Sequence, residues 1–182
     1  MKTRHARAAV ACTLAVAVAV ALAPRLAHAQ QALLGGSIGA ASGLEIGDGG
    51  GRTTTWRLAR TRVAAAVDWR NDEDRRTIFM GQLFAELEPQ TSLGIELRYG
   101  RSFGEAFEGF IGASATVAPA TLFGPVVAGR YYPLGMKSEW ALFVEPSLSV
   151  LPFGTDLPSS KAIVWSLLTI GARVDLSPST EP

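Results

Sequence analysis

Arg60 and Arg62 stand two residues apart in the chain, and so do Glu96 and Arg98. In an extended strand that spacing sends both side chains of each pair to the same face. Glu86, Arg130, Glu145 and Arg173 occupy polar positions of other segments with the same two-residue rhythm. These eight residues make a mixed-sign set able to pair, which is the condition for charges to share a confined interior.

Chemistry beyond ion pairing is restricted by where the reactive residue types fall. Both histidines, His5 and His28, and the single cysteine, Cys12, lie in residues 1–29. Lys2, Arg4 and Arg7 open that stretch, residues 8–23 are apolar, and Ala27-His28-Ala29 is a small-x-small signal before Gln30. This is the layout of a cleaved secretory signal peptide. Pro24 and Arg25 interrupt the apolar stretch short of a full membrane span. Cleavage removes four of the seventeen basic residues and none of the sixteen acidic ones, leaving a formal charge of −3.

A chain stripped of His and Cys cannot assemble a Ser-His-Asp or Cys-His nucleophile or a common zinc site. The expectation is therefore no catalytic residue, no cofactor, no metal and no enzyme activity, with carboxylate, lysine and tyrosine chemistry left formally open. A mildly acidic chain without a basic stripe also points away from nucleic acid. "GDGGGRTTT", residues 47–55, lacks the Gly-Lys-Ser/Thr ending of a phosphate loop and reads as a surface loop. "RNDEDRR" lacks the turn glycine and distal Glu of a calcium loop and reads as a solvated turn.

The elements that must position the eight charges are strands. Apolar residues recur at every second position in eight segments, residues 32–42, 54–69, 78–88, 92–101, 107–117, 122–132, 140–151 and 162–176, separated by Gly, Pro, Asp, Asn and Ser. Most run to ten residues or more, against the five or six of an ordinary soluble strand. A tilted strand crossing a bilayer needs about 9 to 11. In the second segment Thr61, Val63, Ala65, Val67 and Trp69 oppose Arg60, Arg62 and Asp68; in the fourth, Leu93, Ile95, Leu97 and Tyr99 oppose Glu96 and Arg98. In the seventh, Trp140, Leu142, Val144, Leu148 and Val150 oppose Glu145, Ser147 and Ser149.

Two architectures accept that pattern. A soluble lipocalin-like barrel points the apolar face inward, whereas a membrane barrel inverts the order and pairs its charges inside. Aromatic placement favours the second. With the mature N-terminus in the periplasm, Trp69, Tyr99, Tyr131 and Tyr132 fall at descending strand ends, and Phe79, Phe107, Phe110 and Trp140 at ascending starts, forming one membrane-interface girdle. Residues 110–129 are uncharged and about long enough for a transmembrane helix. Pro119, Pro125 and three glycines oppose that reading and make "APAT" a turn between two strands. Pro146, inside a closed sheet, is expected to sit at a bulge.

With "GPVVAGRYYPLG" and "LLTIGARVDL", which look like barrel-strand phrases, the chain resembles the small eight-stranded outer-membrane β-barrel proteins of Gram-negative bacteria, the OmpA and OmpX type. Such proteins usually end on an aromatic residue, whereas here Leu176 is followed by Ser-Pro-Ser-Thr-Glu-Pro. The resemblance implies an all-β fold, a single antiparallel up-and-down transmembrane barrel in residues 30–176, between a signal peptide (1–29) and a short polar tail (177–182). It implies location in the outer membrane, with its lipids and the barrel-assembly machinery as partners, and a monomer. The function expected is structural or surface-interacting with a side-chain-filled lumen. A small channel, a lipid-modifying enzyme and a soluble barrel binding an apolar ligand are the alternatives.

Overall fold

In a computed structural model the described residues are 31–47, 54–70, 76–87, 91–135, 140–155 and 160–176. The expected signal peptide, the polar tail, residues 48–53 of the glycine loop and residues 71–75 of the acidic turn lie outside them. The strands are β1 (Gln31–Gly47), β2 (Thr54–Arg70), β3 (Thr77–Leu87), β4 (Ser92–Phe103), β5 (Phe107–Ala118), β6 (Leu122–Tyr131), β7 (Trp140–Leu151), β8 (Phe153–Gly154) and β9 (Ser160–Asp175). The two-residue β8 continues β7 beyond Pro152 and pairs with the start of β6, so the wall has eight staves.

Each stave pairs antiparallel with its sequence neighbour, and the last returns to the first from Leu33↔Asp175 to Gly47↔Ser160. The result is a closed up-and-down barrel. Closure gives the strands a partner on both sides through the body of the wall and so removes the unpaired edge that an open sheet would expose.

Burial follows the two-residue alternation, with the polar side chains inside. On β4, Ser92, Glu96 and Arg98 are buried while Leu93, Leu97 and Tyr99 are exposed. Leu83, Ile111, Leu168 and Ile170 are likewise exposed on their own strands. Residues 110–129 form the β5–β6 hairpin, and no helix among the described residues is long and apolar enough to cross a membrane.

The inner face also carries apolar groups. Ala41, Leu122, Leu151, Ile163, Trp165 and Leu167 form a buried cluster in the half of the lumen away from the N-terminal end of β1. Several large inward side chains pack against glycines directly opposite them in register. These pairs are Trp165 with Gly43, Phe84 with Gly94, Phe110 with Gly100, and Phe143 with Gly171. A Cβ on any of these glycines would fall 2.1–2.7 Å from the facing ring, so glycine is what lets each ring reach the wall.

The expected bulge at Pro146 does not form. The β7–β9 register runs through Pro146↔Leu168 without a shift. Toward β6, Val126↔Ser149 to Ala128↔Ser147 and then Tyr131↔Val144 keep one register, and only the two pairs between are missing. Both would use a Pro146 N–H donating to the Gly129 carbonyl, and proline has none. The wall loses one hydrogen bond and keeps its alignment.

Candidate functional site

The inward charges of β2 to β7 and β9 converge on the barrel axis. Starting at the rim near the N-terminal end of β1, Arg70 bonds Glu108, and Arg130 Nη1 lies 3.7 Å from the other Glu108 oxygen. Arg130 Nε donates to Glu145 at 2.7 Å, and Arg98 Nη1 donates to the other Glu145 oxygen at 2.6 Å. Arg98 also bonds Glu96, whose second oxygen accepts from Arg62 at 2.7 Å. Arg62 then reaches Glu86 at 2.6 Å, and Glu86 accepts from Arg60 at 3.3 Å. Cation and anion alternate without a break from Arg70 to Arg60.

Side branches complete the valences of this chain. Asp68 accepts from Arg130 at 2.7 Å, Arg173 and Tyr132 reach Glu108 at 3.3 and 2.8 Å, and Ser92 and Ser114 donate to Glu86 and Glu96 at 3.0 Å. Nearly all of these groups are buried, where an unpaired ion would cost several kcal/mol, so each carboxylate is met by at least one guanidinium. Guanidiniums also lie on the rings that cover the glycines: Arg62 is 3.9 Å from the Phe84 centroid, Arg130 4.5 Å from Phe143 and 5.0 Å from Phe110, and Arg60 5.4 Å from Trp165. From wall to axis, the layers are glycine, aromatic ring, arginine and carboxylate.

All eight charges expected from the sequence, Arg60, Arg62, Glu86, Glu96, Arg98, Arg130, Glu145 and Arg173, stand in this one network. Asp68, Arg70 and Glu108 belong to it as well. Glu108 was legible by alternation, since it shares parity on β5 with the buried Ser114 and Thr116. No group of His, Cys, Asp and Glu among the described residues is arranged to hold a metal ion.

On the outside, aromatic side chains gather at the same end as Arg70. Register links Trp69 with Phe79 and Phe79 with Tyr99, and Phe103 with Phe107 and Phe107 with Tyr131. Phe79 and Tyr99 meet edge to face at 5.3 Å, and Tyr131 and Trp140 are exposed. Two residues expected in this girdle are not in it. Tyr132 is 1% exposed, points into the lumen and donates to Glu108, because adjacent strand residues face opposite ways and Tyr131 takes the outer side. Phe110 is buried against Gly100 for the same reason, three residues being an odd step from Phe107.

Neither protein-family models nor curated protein sequences match the chain. Solved structures similar to it include Ail, the attachment invasion locus protein of Yersinia pestis, with a TM-score of 0.48 at 9% identity, covering 80% of this chain and 99% of Ail. Ail in complex with the heparin analogue sucrose octasulfate gives 0.47 at 10% identity with the same coverage. Neisserial surface protein A gives 0.47 at 9%, covering 80% of this chain and 96% of that one. In its own geometry, with the ladder closed, the charges paired inside and the large apolar side chains outside, the chain is an eight-stranded antiparallel β-barrel with an inverted, apolar-out surface.

Proposed function

We propose that this protein is a monomeric outer-membrane barrel with a structural or surface-interaction role, that its lumen is closed, and that it is not an enzyme. The observation that carries this reading is the unbroken alternation of charge from Arg70 to Arg60, which fills the axis with side chains. The apolar cluster around Trp165 occupies the remaining width on the β1, β7 and β9 side. Eight staves enclose little more than their own side chains, which opposes a channel. The absence of histidine and cysteine from residues 30–182 opposes the commoner hydrolytic mechanisms.

With the lumen closed, contacts beyond the lipid and the barrel-assembly machinery fall to the connections at the two ends. The end opposite the aromatic girdle, where β1 and β2 run past the end of β3, faces outward in this reading. Planar-bilayer recording on the purified, refolded protein tests the closed lumen. The expected trace has no steady single-channel steps, and large regular steps would refute it. An epitope inserted at Gly49 is expected to be reached by antibody on intact cells and one at Lys137 is not; the opposite labelling would reverse the orientation.

A further inference from the structure

We propose that the middle of the lumen holds one structural water molecule bound to Asp68. The site is a cavity of ≈ 10 Å³ beside β1 and β2. Its polar lining is Ser37, Asp68, Gln82, Arg130, Glu145 and Arg173. About 10–15 Å³ is what one water needs. A dry void of that size is expected only where the lining is apolar.

The second observation is independent of the volume. Asp68 is only 3% exposed, its Oδ2 accepts from Arg130 at 2.7 Å, and its Oδ1 has no hydrogen-bond partner. A buried carboxylate oxygen left without a donor is costly, and Asp68 is one of the residues that line the cavity. Water supplies the donor. The cavity lining carries two cations, Arg130 and Arg173, and two anions, Asp68 and Glu145, so the guest that fits is neutral and no extra ion is called for.

Gly35 makes the inference testable by sign. It lines the cavity, and a Cβ built there would meet nothing closer than the Ala172 carbonyl at 3.5 Å, with Arg173 Cβ at 3.7 Å and the Ala66 carbonyl at 4.0 Å next, which are ordinary contacts. Gly35→Ala therefore fits sterically and occupies the space. In a strand this change favours folding by itself, so an empty cavity would make the variant more stable than wild type. A water displaced from Asp68 would make it less stable.

The experiment measures water-oxygen magnetic relaxation dispersion, which counts long-lived internal waters, on wild type and Gly35→Ala refolded in micelles, alongside urea unfolding in liposomes. Support consists of at least one long-lived water in wild type, one fewer in the variant, and an unfolding midpoint moved to lower urea. A wild type without any long-lived water, an unchanged count, or a midpoint moved to higher urea would overturn the proposal. So would wild-type stability that depends on added sodium or potassium at constant ionic strength, which would make the guest a cation. The wild-type count stands even if the variant fails to refold.

Discussion

The Cβ that Gly94 lacks would fall 2.1 Å from Cζ of Phe84, its partner across the β3–β4 ladder. Phe84 in turn carries the Arg62 guanidinium, which bridges Glu86 and Glu96. The glycine thereby sets the height of an ion pair two layers away.

Gly94→Ala is accordingly expected to lower stability by about 1–3 kcal/mol through overpacking. The midpoint of urea unfolding in liposomes measures it. Gly36→Ala, whose Cβ would meet nothing closer than 3.8 Å, serves as the control and is expected to change stability by less than about 1 kcal/mol. Equal effects at the two positions would contradict the layered arrangement.

Glu145 accepts from both Arg98 and Arg130, and all three are buried. Glu145→Gln leaves two guanidiniums short of a counter-charge and is expected to cost about 3–5 kcal/mol. Arg60, whose side chain is 16% exposed at one end of the chain of charges, is expected to cost no more than about 1 kcal/mol as Arg60→Gln. Comparable losses would show that the two ends and the middle of the network are equally wet.

Tyr131 and Tyr132 separate the two faces in consecutive residues. Tyr132→Phe removes a hydroxyl that donates to the buried Glu108 and is expected to cost about 1–3 kcal/mol. Tyr131→Phe, on the exposed side, is expected to stay within about 0.5 kcal/mol. Thermal or urea unfolding of the pair checks this, and a larger effect at Tyr131 would place the hydroxyls the other way round.

What the sequence made legible follows from periodicity. A two-residue rhythm carried the strands, the inward side of Arg62, Glu96 and Arg98, and the outward side of Leu93, Leu97 and Tyr99. The rhythm also sends Tyr132 and Phe110 inward, against an expectation that grouped them with the girdle by residue type and nearness to a strand end. The apolar plug was hidden for a different reason. On β9, Ile163, Trp165 and Leu167 face in while Val164, Leu168 and Ile170 face out, and a strand apolar on both faces does not say which is which. The covering of glycines by rings depends on register between strands, which one strand's pattern does not contain.

Pro146 leaves the Gly129 carbonyl without its ladder donor from β7. Pro146→Val returns the N–H to an outward position suited to a β-branched residue, so it is expected to stabilise by about 0.5–1.5 kcal/mol. Slow exchange of the new backbone amide at position 146, read by NMR in micelles, would show the restored bond. Fast exchange there, with no gain in stability, would mean that the gap has a cause other than proline.

The inverted barrel itself is tested most directly by its own tryptophans. Trp140 is exposed on the outer wall and Trp165 is buried within it, although they lie on neighbouring strands. Two single-tryptophan variants, each with the other three tryptophans changed to phenylalanine, are refolded into liposomes whose acyl chains carry bromine near the headgroup. Bromine in contact with the outer surface is expected to quench Trp140 strongly and leave Trp165 nearly unchanged. Quenching of Trp165 as strong as that of Trp140, or none at Trp140, would contradict a barrel with its apolar face toward lipid.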